Sequence, residues 1–198
     1  MPQVRPADAS DVPRLAEVLA DAFLDDPLTM WLFRADDGLR ERLRRSFHAL
    51  LGRVYLAKGH TLTTTDLAGA ALWSPPGKWK LTAVQQLRLA PAMLRAVPLS
   101  QIRNGSRLNV LVTRAHPRDP HWHLSVLGVA PARQRSGVGS ALVRPILDRA
   151  DAERVLCHLE TSKEANIPYY VRHGFEVAEE LGMPHGAPRV WTMTRRPL

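Results

Sequence analysis

The hydrophobic pattern is clearest in the stretch His121 to Leu142, HWHLSVLGVAPARQRSGVGSAL. Trp122 to Val129 is apolar and β-branched enough to predict a buried strand, and Val138 to Leu147 carries apolar residues at helical spacing. Between them Pro131 stops the strand, and Gly137 and Gly139 permit a close backbone approach that side chains would block. A strand that turns this tightly into a helix presents free N–H groups at a partially positive helix start, the physical basis of a phosphate site. Arg133 and Arg135 add two cations beside it.

The rest of the chain arranges itself on both sides of this unit. Val4 to Ala7 reads as a short strand, followed by a helix capped by Asp8 or Ser10, with Pro13 in its first turn and Leu15, Val18, Leu19, Ala22 and Phe23 as its apolar stripe. A second helix is predicted from about Leu39 to Ala57, and Leu28 to Phe33 reads as an unusually apolar connection. Strands follow at His60 to Thr65 and Leu67 to Trp73, closed by the turn residues Ser74 to Gly77. Lys78 to Val97 is helical in pattern but interrupted at Pro91, and Ser100 to Ala115 predicts a further helix. Beyond the centre come a strand at Glu153 to Glu160, a short helix from Asn166 to Val171 capped by Gly174, and a closing antiparallel hairpin, Phe175 to Glu180 with Arg189 to Thr194, around a loop at 182–188. One βαβ unit with antiparallel flanks implies an α/β (α+β) fold with a mixed sheet. With 198 residues, 45% of them hydrophobic, the chain suits a single domain over 1–198.

Composition narrows the function. No apolar run approaches the ~20 residues of a membrane span, and Met1 to Asp11 lacks the apolar block of a signal peptide, so a cytoplasmic protein without a membrane partner is expected. The single cysteine, Cys157, sits in an apolar run and reads as a small core residue. The net charge of +8 raises nucleic acid as a partner, but the arginines are spread along the chain without an aromatic-basic motif, and none is expected.

The turn fits neither a Rossmann nor a P-loop fingerprint. Gln134-Arg135-Ser136-Gly137-Val138-Gly139, preceded by Leu127-Gly128-Val129-x-Pro131, resembles the acetyl-CoA motif of the GNAT acetyltransferase superfamily. Asn166, then Tyr170, then Gly174-Phe175 resembles that family's second signature. The resemblance implies the GNAT fold: a mixed, mostly antiparallel central sheet flanked by helices, with a V-shaped splay between the two central strands that admits acetyl-CoA. It implies that Leu127, Gly128 and Val129 meet the pantetheine, that Gln134, Arg135, Ser136, Gly137, Val138, Gly139 and Ser140 wrap the pyrophosphate, and that Asn166 bonds near the reaction centre. Tyr170 falls at the general-acid position, with Tyr169 as a packing neighbour whose side chain points elsewhere.

An N-acetyltransferase must also remove a proton from the acceptor amine. Candidates for the base are Glu160, His123, and Ser125 through water, with His123 and Ser125 expected on the strand face of Leu127 and Val129. His116, His121 and His123 suggest a metal, but no carboxylate lies at helical spacing and acetyl transfer needs none, so no metal is expected. A cationic, partly aromatic acceptor would suit Asp25 or Asp26 with Trp31, Phe33 and Trp73 as walls. The resemblance implies a small-molecule primary amine, of the aminonucleoside antibiotic kind. A protein or peptide N-terminus is the alternative acceptor, and a CoA-binding regulatory protein without turnover is a third reading. Monomer and homodimer both remain open.

Overall fold

The computed structural model describes residues 2–183 and 186–198; residues 184 and 185 of the predicted 182–188 loop lie outside them. The elements are β1 (Val4–Pro6), α1 (Val12–Ala22), α2 (Pro27–Phe33), α3 (Leu39–Leu50), α4 (Leu56–Lys58), β2 (Thr61–Thr64), β3 (Gly69–Ser74), α5 (Ala83–Ala96), α6 (Ile102–Ala115), β4 (His121–Val129), α7 (Val138–Glu153), β5 (Leu156–Thr161), α8 (Ile167–Val171), β6 (Glu176–Glu180) and β7 (Trp191–Arg195). Among the described residues the strands form one sheet in the order β1-β2-β3-β4-β5-β7-β6, with β4 and β5 parallel and every other pair antiparallel.

Two apolar layers sandwich the sheet. Leu142, Val143, Ile146 and Leu147 of α7 pack on Trp73, Trp122, Leu124, Cys157 and Leu159. On the opposite face Leu15 and Leu19 of α1 meet Leu51, Val54, Ala70 and Leu72. Cys157 is fully buried in the α7 layer and its thiol is pushed up to about 12 by burial, which makes it a packing group rather than a nucleophile.

Three helical features depart from the sequence pattern for identifiable reasons. The expected connection at 28–33 is the helix α2, started by Pro27 in its first turn and by Asp26, whose side chain accepts from the Thr29 N–H at 2.8 Å. The helix expected to 57 continues from α3 through a π-turn, Leu51–Tyr55, into α4 and stops at Gly59, which takes φ 75°. Helix α5 runs straight through Pro91, which lies on its exposed side, where solvent can serve the carbonyl that loses its N–H partner.

The site is opened by a feature of β4. Its parallel pairing with β5 covers only His121–Leu124 against Leu156–Leu159, so Ser125 to Val129 run on without β5 beside them. Against β3 the register passes from Trp73↔Leu124 to Leu72↔Val126, leaving Ser125 as the extra residue of a β-bulge. The bulge bends β4 away from β5 at the point where their pairing ends. Among the described residues no helix is long and apolar enough to cross a membrane.

Candidate active site

Where the two strands part lies a cleft of about 580 Å³. Leu127, Gly128 and Val129 form its β4 wall; Gln134, Arg135, Gly137, Gly139 and Ser140 form the turn; Asn166 and Tyr170 come from the other side. Asp25 and Asp26 reach its edge. Two of the residues expected to wrap a pyrophosphate stand apart from this lining. Val138 is buried in the core, and the Ser136 hydroxyl donates back to the Arg133 carbonyl at 2.7 Å.

The turn is built to leave amides free. Arg135 and Gly137 take positive φ, 60° and 85°, and Gly137 immediately precedes α7. Among the described residues, no main-chain carbonyl accepts from the N–H groups of residues 135–140; the first α7 bond back to the turn runs from Ala141 to Gly137 at 3.0 Å. Arg133 does not add its charge here, because it pairs with Asp66 at 2.6 Å. Arg135 and Arg172 make no ion pair among the described residues, and both line the cleft. Unclaimed amides, two cations and the unpaired edge of β4 fit a long, diphosphate-bearing amide chain such as that of CoA.

Tyr170 is buried on α8, and burial, with Tyr169 and Asp26 adding, holds its hydroxyl above the ordinary tyrosine range. Tyr169 does not point away as expected. It lines the cleft beside Tyr170, with ring centroids 5.1 Å apart, and its hydroxyl would stand 3.1 Å from a Cβ at Gly139.

A second cluster lies at the paired end of β4, outside the cleft lining. The bulge inverts the strand's alternation: Trp122 and Leu124 face α7, and so do Leu127 and Val129, whereas Gly128 faces Leu19, Ala22 and Phe23 of α1. His123 and Ser125 therefore do not share the face of Leu127 and Val129. Instead His123 Nε2 donates to Glu160 Oε2 at 2.9 Å, and the Ser125 hydroxyl lies 3.0 Å from His123 Nδ1. His158 Nε2 approaches Glu160 Oε1 at 3.2 Å and His116 Nδ1 approaches it at 3.3 Å. Atoms of His116, His123 and Glu160 gather within 4.8 Å of one another, although the hydrogen bond of His116 Nδ1 runs to the Val112 carbonyl at 3.0 Å.

The electrostatics are one-sided. Burial pushes the Glu160 carboxyl up, but the charges and hydrogen bonds of His123 and His158 overcome it and hold the group below the usual carboxylate range. His116 is pushed down to about 4 by burial and stays neutral, with its ring stacked on Trp79 at 3.6 Å. His158 was not among the sequence candidates; it lies two residues before Glu160 on β5, so strand alternation alone puts it on that carboxylate's face.

The expected acceptor walls are mostly engaged elsewhere. Trp73 is fully buried in the core, Phe33 packs with Leu39 and Leu43, and Trp31 is half-buried outside the cleft lining. Asp25 pairs with Lys163, and Asp26 accepts from the Ser162 hydroxyl at 2.7 Å while capping α2.

A parallel pair that splays over a phosphate-ready turn, in a mostly antiparallel sheet, defines a CoA-dependent acyltransferase. A model of the Acetyltransferase (GNAT) family matches residues 103–175, and the chain is an acyltransferase whose acyl donor is acetyl-CoA. An N-acetyltransferase of Schizosaccharomyces pombe, itself uncharacterised, is 28% identical over 193 residues, covering 88% of this chain and 74% of the relative. The fold is shared with a Corynebacterium glutamicum protein described as histone acetyltransferase HPA2 and related acetyltransferase. That likeness has a TM-score of 0.75 at 24% identity and covers 100% of this chain and 97% of the other. It is also shared with the PaiA N-acetyltransferase of Thermoplasma acidophilum in complex with coenzyme A, at a TM-score of 0.57 and 14% identity, over 99% of both chains.

Proposed function

We propose that the protein transfers an acetyl group to the primary amine of a small molecule, with Ser125, His123 and Glu160 relaying the amine's proton and Tyr170 supplying one to the leaving thiolate. The observation that carries this reading is the hydrogen-bonded line from Ser125 Oγ through His123 to Glu160, placed where β4 and β5 separate.

Acetyl-CoA contributes an acyl thioester. The amides of 135–140 with Arg135 and Arg172 would hold its phosphates, and the free β4 edge at Leu127 to Val129 with Asn166 would hold the pantetheine.

The acceptor must lose a proton to become a nucleophile. An alkyl amine of pKa about 10.4 needs roughly 4.6 kcal/mol for this at pH 7, an α-amine of about 7.8 roughly 1 kcal/mol. The Ser125 hydroxyl can take the amine proton while passing its own to His123 Nδ1. The imidazolium so formed is stabilised by Glu160 at 2.9 Å, which need not itself be protonated. Tyr170, protonated at neutral pH, can give its proton to a thiolate whose acid has a pKa near 8.5.

The small-molecule reading is supported by a resemblance to puromycin N-acetyltransferase in the Asp-x-Pro opening, the loop at 117–120, Leu159-Glu160-Thr161-Ser162, the tyrosine pair and Trp191 to Arg195. The test is purified protein with acetyl-CoA and thiol detection against a panel of small amines, aminonucleosides included, and of peptides. Turnover on small amines supports the proposal; turnover on peptide N-termini alone, or no turnover with CoA still bound, overturns it.

A further inference from the structure

The net charge of +8 is not spread over the chain. Residues 67–118 contain no Asp or Glu and eight Lys and Arg, while the other 146 residues balance, 19 cations against 19 acids. That segment includes helices α5 and α6. On α5, Val84, Leu87, Pro91 and Leu94 share one outward strip with Arg88 and Arg95 beside it. Leu87 and Leu94 are 74% and 63% exposed, and Leu99, at the tip between the helices, is 80% exposed. Helix α6 buries no residue and turns Arg103, Arg107 and Arg114 outward with Val110. None of these arginines makes an ion pair among the described residues.

We propose that the outward strip of α5, with Leu99 beyond its end, docks on an anionic lipid surface. Such an interface satisfies both halves of the pattern: leucines enter the headgroup boundary while guanidinium groups reach the phosphates on stems that lie along the apolar layer. A second copy seated strip to strip would oppose two faces of the same charge. Nucleic acid would use the arginines but not the leucines, and residues 81–115 contain no aromatic side chain on which a base could stack. The lack of a long apolar run excludes a spanning helix, whereas a helix lying in the interface plane needs none.

The test is co-sedimentation of the full chain with vesicles of phosphatidylcholine alone and of phosphatidylcholine mixed with phosphatidylglycerol. Binding is expected only to the mixed vesicles and should weaken as salt is raised. Neutralising the two exposed cations in Arg88→Gln/Arg95→Gln is expected to weaken partitioning about 30-fold, and Leu87→Ser/Leu94→Ser should weaken it comparably. Both variants should keep the thermal midpoint and the transfer rate to a soluble amine. Equal binding to neutral vesicles, no binding to either, or binding indifferent to both variants overturns the proposal. So does capture of a DNA or RNA duplex, or self-association lost in the leucine variant, when the vesicles are ignored.

Discussion

Exchanging Glu160 for glutamine keeps the side chain's shape and deletes its charge. In the native protein the carboxylate faces the His123 ring at 2.9 Å, and both side chains are largely buried, 17% and 11% exposed. A unit charge pair about 4 Å apart at an effective dielectric of about 20 is worth about 4 kcal/mol. Losing it should lower kcat on an alkyl amine by about 10²–10³-fold. The amide also leaves His158 short of an acceptor, a loss of about 1–3 kcal/mol of stability, or a thermal midpoint about 2–7 °C lower for a chain of this length. The two effects separate by varying the acceptor. If Glu160 serves proton removal, an amine of pKa about 7.8, which needs only about 1 kcal/mol of help, should lose far less than one of about 10.4. Thiol release followed with both amines, and the KM for acetyl-CoA measured alongside, decide the matter. An equal loss on both amines, accompanied by the lower midpoint, would reduce Glu160 to a structural group; an unchanged kcat would remove the relay altogether.

Tyr170→Phe should lower kcat by about 10²–10³-fold with the KM for acetyl-CoA and the thermal midpoint unchanged; an unaltered rate would refute its role as acid. Gly137→Val forces a β-branched residue to φ 85°, a strain of about 1–2 kcal/mol that should weaken CoA binding about 5–30-fold if the turn relaxes to escape it; unaltered affinity by calorimetry would count against the phosphate turn. Arg195→Ala should destabilise by about 3–5 kcal/mol, about 7–12 °C in thermal midpoint, because the guanidinium grips Asp151 with two 2.7 Å bonds in a largely buried setting. The same pair carries a pH signature. Arg195 holds the Asp151 carboxyl below its ordinary value, so its contribution is complete above about pH 4 and disappears as the pH falls through the lowered folded value. Acid unfolding of the wild type should therefore show a component that Asp151→Asn lacks.

The parts of the fold written in local chemistry were legible in the sequence. Pro131, Gly137 and the apolar periodicities on either side of them place a strand, a turn and a helix correctly, and the glycine at 174 takes the left-handed cap expected of it, with φ 83°. What escaped depends on partners distant in sequence. Arg133 looks like a phosphate cation until Asp66, 67 residues earlier, is seen to hold it. Trp73 looks like a pocket wall until both faces of its strand prove buried. Helix α2 was announced by Asp26, Pro27 and Thr29, a cap and a first-turn proline, but its apolar run of seven residues is too short for periodicity to separate a helix from a connection.

The hydrogen-bonded line of the proposed relay was hidden for a different reason, and that reason lies in the register of the sheet. Strict alternation from His123 would set Ser125, Leu127 and Val129 on one face. The inserted residue at Ser125 breaks that phase, sending Leu127 and Val129 toward α7 while leaving His123 and Ser125 on the side of His158 and Glu160. The bend it introduces falls where the pairing of β4 with β5 ends, so that one irregularity opens the cleft and, at the same point of the strand, sets a hydroxyl on a histidine whose carboxylate partner comes from the other strand. A strand without the bulge would pair on with β5 and close the space that a thioester needs. The geometry of the proposed site is thus carried by a single residue of register, a quantity that depends on how β3 and β4 meet and that no reading of β4 alone can supply.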